Sequence, residues 1–295
     1  MRSLHFFDKP DVPGDWNQIM TDQATSLRNL AIQVAMRDDG RERYGVLGVI
    51  GARRGLGTTF VAVNLAIALD RMGWPVAVVD ANFDAPALHH RLGVRPSSDW
   101  AAFLEGDKSL RELQRSGPAD IKVITGISIS AEKVAAREHA LEQLQQQLPS
   151  LAQSRLAIVD FGDAAQLEDC DPAIQELLIV TQPEVECLMD AYARIKQFMQ
   201  QPTGATMWMV TNRVGSAEAA ELARQRMVSS CDQFLNLSLR TTALPEDPQA
   251  AEADQAERPI LLHQPKSELS RTFESLAQEY THVRRSYGRV LPHGV

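Results

Sequence analysis

The chain reads as an α/β protein: a mostly parallel β-sheet flanked by helices, with an N-terminal helical extension. Three observations predict this. Short runs such as VAVVD at 76–80 and LAIVD at 156–160 hold four apolar residues in a row, as strands buried on both faces do. Longer amphipathic stretches separate the runs, giving the β–α alternation of a parallel sheet covered by helices. One run, VLGVIG at 46–51, opens directly into a glycine-rich turn and then a helix, within VLGVIGARRGLGTTFVAVNLAIAL.

The bulk numbers bound the function. With 295 residues and 44% hydrophobic content, the chain can bury a substantial core without covalent staples. Its 38 acidic against 30 basic side chains leave a net charge of −8, which argues against a broadly basic surface and direct nucleic-acid binding. Cys170, Cys187 and Cys231 form no CxxC pair and no even framework, so they read as free thiols of a reducing cytoplasm. The first residues lack the apolar core of a signal peptide, and no apolar run approaches the ~20 residues a membrane span requires.

The elements follow in order. Residues 1–14 form a Pro- and Asp-bearing arm, and apolar residues from Trp16 to Val34 recur at helical spacing within Asp15–Met36. The polar break RDDGRER at 37–43 closes this first region. Strands are expected at Val46–Ile50, Val76–Asp80, Ile121–Thr125, Leu156–Asp160, Leu177–Thr181, Met207–Thr211 and within Leu237–Leu244. Helices are expected at Thr59–Met72, Ala131–Leu148, Val185–Gln200, Ala217–Ser230 and Lys266–Val283. The domain division is therefore an N-terminal arm and helix over 1–43, an α/β body over 44–283, and a tail over 284–295.

The glycine-rich turn carries the chemistry. Successive backbone N–H groups and a helix N-terminus can surround a phosphate, although such a turn can also close a strand with nothing bound. An intact loop of this class adds a lysine for the β/γ-phosphate oxygens and a Ser/Thr for magnesium. GARRGLGTT, followed by Asn64-Leu65-Ala66, resembles the phosphate loop of the MinD/ParA family of P-loop ATPases. The resemblance implies an ATP or ADP site with magnesium, and it aligns without a gap. Arg53 then stands at the family's dimer-bridging lysine, Arg54 at a glycine, and Thr58 at the phosphate-holding lysine. Gly55, Leu56, Gly57 and Thr59 keep their roles, Thr59 as the magnesium hydroxyl. Arg53 is the candidate replacement cation, although a guanidinium differs in size and placement from an ammonium.

The same resemblance assigns further residues. In VVDANFDAP, Asp80 matches the first carboxylate of the family's Asp-x-Asp, but Asn82 replaces the second, which acts on the attacking water. An amide cannot accept a proton at neutral pH, so base-assisted hydrolysis suffers. Asp84 substitutes only if its loop is rebuilt. In LAIVDFGDAA, Asp160 matches the carboxylate that reaches magnesium, while Ala164 occupies the position of the glycine that senses the γ-phosphate. Asn212-Arg213, and Pro245-Glu246 in ALPED, match the segments that flank adenine. Three departures on three elements imply weak or absent ATP hydrolysis.

The N-terminal helix narrows the resemblance. Asp22-Gln23-Ala24 with Leu27-Arg28 is similar to the Asp-Gln-Ala-x-x-Leu-Arg element of the FlhG (YlxH, FleN) flagellar-number regulators. In that family the helix supplies a glutamine to the SRP-type GTPase FlhF, where an amide orients water. Asp22, Gln23, Leu27 and Arg28 are thus candidate partner-binding residues, and Gln23 the candidate activating group in trans. TQPEVECLMDAYARIKQF and DQFLNLSLRTTALPED extend the likeness, which spans about residues 20–280. It implies an FlhF-like GTPase as partner, with flagellar C-ring components, a flagellar transcription regulator and a homodimer as open alternatives. It also implies a cytoplasmic protein, with recruitment to the cell pole left open. The tail has only Tyr287, Val290 and Leu291 as an apolar face, too meagre for firm membrane binding. Two other readings stay open: an active MinD-type ATPase cycling between monomer and ATP-bound dimer, and a MinD-like accessory protein of cellulose or pilus export, the latter suggested by Gly-Thr-Thr.

Overall fold

The computed structural model describes residues 44–130, 132–163, 173–200 and 205–289. The expected helix at 15–36, the 43/44 domain boundary, Cys170 and Ala164 lie outside or at the edge of these residues, as does the end of the tail from residue 290.

β1 (Val46–Gly51) leads into α1 (Thr58–Arg71), and β2 (Val76–Asp80) follows. Then come α2 (Leu88–Leu92), α3 (Trp100–Leu104), β3 (Arg115–Ser116), β4 (Lys122–Ile124) and α4 (Val134–Ala152). The second half runs β5 (Leu156–Asp160), β6 (Glu176–Thr181), α5 (Val185–Met199), β7 (Thr206–Val214), α6 (Ala217–Leu235) and β8 (Arg240–Pro245). It closes with α7 (Gln249–Gln255), α8 (Ile260–His263) and α9 (Glu268–Arg289).

The strands form one sheet in the order β3-β4-β2-β5-β1-β6-β7-β8. Every pairing is parallel except that of β3 with β4. The expected strands are found, and two match to the residue, because their apolar runs must be buried on both faces. Every residue of β1, β2, β5 and β6 is buried. α1 is buried along most of its length, so it is a central helix rather than an amphipathic cover. Asn64 explains one polar position inside it: Nδ2 donates to the Phe60 carbonyl at 2.9 Å, and Oδ1 accepts from the Leu261 amide at 3.4 Å, fastening α8.

β1 lies between β5 and β6, while the chain leaves it for β2 on the far side of β5. This reversal of strand order opens a crevice at the carboxyl ends of the strands, where ligands of open α/β sheets sit. The loop after β1 occupies that crevice.

The tail begins later than expected. α9 runs on to Arg289, and Arg284, expected in a solvated tail, is tied into the opposite end of the sheet from the crevice. Its Nε lies 3.3 Å from the buried Glu176 carboxylate and its Nη2 donates to Gln175 Oε1 at 3.0 Å. Tyr280 also donates to Glu176, and its ring meets Trp74 and Trp208. A carboxylate buried at the start of β6 requires these partners, and they in turn hold the helix.

Candidate functional site

The loop after β1 is shaped by glycine. Gly55 and Gly57 have φ of 84° and 90°, in the left-handed region. Gly57 precedes α1, whose first turn has no side-chain cap, so its leading N–H groups remain for a ligand. A Cβ on Gly57 would also fall 2.5 Å from Asn212 Nδ2. Thr58, at the lysine position, is buried with its hydroxyl packed toward Gly51. It presents neither reach nor charge to the crevice.

Under the loop stand two carboxylates. Asp80 and Asp160 end neighbouring parallel strands in direct register, and both are fully buried. Burial first, and the Asp160 charge second, push the Asp80 carboxyl up to about 8, against the backbone N–H groups of Leu88, Asn82 and Ala87. Asp80 Oδ2 accepts from Ala87 at 2.9 Å and Leu88 at 3.1 Å, and Oδ1 from Asn82 at 3.2 Å. Burial also raises the Asp160 carboxyl, opposed by the Thr59 hydroxyl, the Gly162 N–H and the Arg91 charge. Asp160 Oδ1 accepts from Gly162 at 3.0 Å, while Oδ2 is buried without a hydrogen-bond partner. An orphaned buried carboxylate oxygen beside a threonine hydroxyl is a donor set for a small hard cation that keeps several waters. The residues fit magnesium: Thr59 and Asp160 would hold it, with Asp80 alongside.

Asn82 crosses toward the next strand. Its Oδ1 accepts from Ala85 at 3.2 Å, and its amide covers Gly162, where a Cβ would lie 2.5 Å from Nδ2. Gly162 has φ 64° and its carbonyl accepts from Gly51 at 2.7 Å, so this glycine joins the loops after β1, β2 and β5.

The arginines divide. Arg53 turns to α5, where Nε donates to Asp190 at 2.6 Å and the carboxylate raises its pKa further. Arg54, whose side chain is 72% exposed, lies 3.8 Å from Asp84 and 3.5 Å from Asp163. Asp84 is also paired with Arg137, a buried arginine whose Nε donates to the Ile129 carbonyl at 2.9 Å. Asp84 is thus an ion-pair partner, and its loop is not rebuilt to serve Asn82. Arg194 Nη2 donates to the Asp163 carbonyl at 3.0 Å. Together Arg53, Arg54, Arg194, Asp163 and Asp190 line a cleft of about 420 Å³ beside the loop.

On the other side, the pairing of β7 with β8 shifts between Thr211 and Val214, and Arg213 takes a left-handed φ of 54°. The irregularity turns Asn212 inward: Nδ2 donates to the Leu56 carbonyl at 2.8 Å, and Oδ1 accepts from the Arg213 amide at 3.0 Å. One amide hydrogen and one Oδ1 lone pair remain for a base. Pro245 pairs with Val214, and the Glu246 amide donates to the Val214 carbonyl at 2.9 Å, which brings ALPED beside Arg213.

The structure therefore gathers Arg53 to Thr59, Asp80, Asn82, Asp160, Asn212, Arg213, Pro245 and Glu246 at one end of the sheet. Asp22, Gln23, Leu27 and Arg28 lie outside the described residues. Sequence reasoning missed the partners Asp163, Asp190, Arg137 and Arg194. The doubled arginine at 53–54 asks for carboxylates, but nothing local says which.

The fold and this crevice define a class, nucleotide-binding proteins with a phosphate loop after the first strand. The model of the CobQ/CobB/MinD/ParA nucleotide binding domain matches residues 47–260, and the chain belongs to that family. Among its relatives is the antiactivator FleN of Pseudomonas aeruginosa, 28% identical over 240 residues, which cover 79% of this chain and 85% of FleN. The flagellum site-determining protein YlxH of Helicobacter pylori is 24% identical over 213 residues, 70% of this chain and 72% of YlxH. Among solved structures, the cell division ATPase MinD of Pyrococcus furiosus superposes with a TM-score of 0.67 at 24% identity, covering 81% of this chain and 99% of that one. MinD of Pyrococcus horikoshii complexed with Mg-ADP gives 0.65 at 22% identity, covering 81% and 97%.

Proposed function

We propose that the chain is a flagellar-number regulator of the FlhG type. In this reading it binds a magnesium nucleotide, hydrolyses ATP weakly or not at all, and acts on an SRP-type GTPase through Gln23. The observation that carries the reading is a shaped site that lacks its chemical groups: Thr58 buried where a lysine is needed, and an amide at Asn82 where a base is needed. The likeness to the antiactivator FleN and to YlxH, the latter a flagellum site-determining protein by name, supports the biological setting.

Each remaining group has a task in binding. The leading N–H groups of α1 and the loop amides face the phosphates, with the loop already held in place by Asn212. Thr59 and Asp160 would hold the cation, which would give Asp160 Oδ2 the partner it lacks. Bound magnesium would neutralise charge between phosphate oxygens. Asn82 orients water through hydrogen bonds but takes no proton from it. Without a general base, a factor of roughly 10²–10⁴ in rate is lost.

Two measurements test the proposal. Purified full chain is expected to release phosphate from Mg-ATP at a rate close to buffer alone; turnover at the rate of an ordinary MinD-type ATPase would return it to the active class. Gln23→Ala is expected to abolish stimulation of GTP hydrolysis by an FlhF-type GTPase while leaving nucleotide binding intact. Unchanged stimulation would remove the GTPase from the reading.

A further inference from the structure

Resting on the nucleotide-binding reading, we propose that Arg54 is the cation that meets the terminal phosphates, and that Asp84 and Asp163 hold it between ligands. The lysine position is a buried threonine, and the loop itself carries two other cations, Arg53 and Arg54. Arg53 is already committed: it pairs with Asp190 of α5. Arg54 is placed differently. Its guanidinium reaches one carboxylate in the loop that follows Asp80 and another in the loop that follows Asp160. Asp80 and Asp160 lie side by side below. A side chain touching both flanking loops spans the mouth of the crevice, over the place where the loop amides and the first turn of α1 converge.

The strength of these contacts fits exchange. At 3.8 and 3.5 Å, with the arginine largely exposed, they are loose surface pairs of the kind worth little in water. Asp84 keeps a second partner in Arg137, and so loses no essential contact when Arg54 leaves. A polyphosphate carries more charge than either aspartate and accepts two parallel N–H bonds from a guanidinium. Arg54 therefore moves from carboxylate to phosphate when nucleotide enters, while Gly162 still joins the three loops beneath it. The aspartates act as built-in competitors that lower affinity for nucleotide, and Asp163 is the one without a second arginine side chain.

Isothermal titration of the full chain with Mg-ATP and Mg-ADP tests this. Arg54→Ala is expected to weaken Mg-ATP binding at least about tenfold, Arg54→Lys to recover most of the loss, and Arg53→Ala to change it less than about threefold. Asp163→Asn is expected to tighten binding several-fold by releasing Arg54. Far-ultraviolet circular dichroism checks that each variant folds, which exposed positions favour. Wild-type affinity in Arg54→Ala, or weaker binding in Asp163→Asn, overturns the assignment of Arg54 while leaving the nucleotide reading in place. No binding of either nucleotide to the wild type overturns that reading and the inference with it.

Discussion

Two buried carboxylates in register at Asp80 and Asp160 make the site sensitive to protons. A carboxyl raised in the folded chain holds its proton more tightly there than in the unfolded chain, whose Asp titrates near pH ~3.9. Its contribution to stability is therefore complete below that pH and is lost as pH rises through about 8. In EDTA, the melting temperature is expected to fall from about pH 6 to about pH 8.5 more steeply for the wild type than for Asp80→Asn. Parallel slopes would mean that the pair does not share a proton in this range. At the same scale, Thr58→Lys combined with Asn82→Asp restores a phosphate cation and a base. Phosphate release is expected to rise by about tenfold or more, given the ~10²–10⁴ a positioned base supplies. A rise with Asn82→Asp alone would show that Arg54 already suffices as the cation.

Among the elements, α9 depends most on one contact. Removing the Arg284 guanidinium leaves Glu176 buried without its ion pair, which costs about 3 kcal/mol where both partners are largely desolvated. Arg284→Ala is expected to lower the urea midpoint accordingly, and Glu176→Leu with Arg284→Met to regain most of it; an unchanged midpoint would place the helix end outside the cooperative fold. This contact was invisible in the sequence, where RRSYGR reads as a solvated tail because Glu176 lies 108 positions earlier in the numbering. The strands were legible because burial on both faces forces apolar runs such as VAVVD and LAIVD. The short α2, α3 and β3 were not, since two to five residues carry no period to detect. In the site, glycines and Thr59 announced the loop through their spacing. The direction of Arg53 depended on Asp190, 137 residues away, which no local pattern encodes.

The whole molecule carries a net charge of −8, with its cluster of arginines neutralised by Asp84, Asp163 and Asp190. An excess of acidic over basic side chains works against the phosphate contacts that make protein–DNA affinity depend steeply on salt. No retention of duplex DNA is expected in a gel-shift assay at about 0.15 M salt, with or without Mg-ATP. A salt-sensitive shift would point to a basic face that appears only on nucleotide binding or in the N-terminal region. The bond from Asn212 to the Leu56 carbonyl reaches beyond chemistry into how the sequence can drift. Residue 57 has no room for a side chain while Asn212 stands where it does, and without Asn212 the Leu56 carbonyl loses the amide that holds it. Two positions far apart in the sequence but touching in the fold are thus bound into a single heritable unit: a substitution at either one sets the terms on which the other can change.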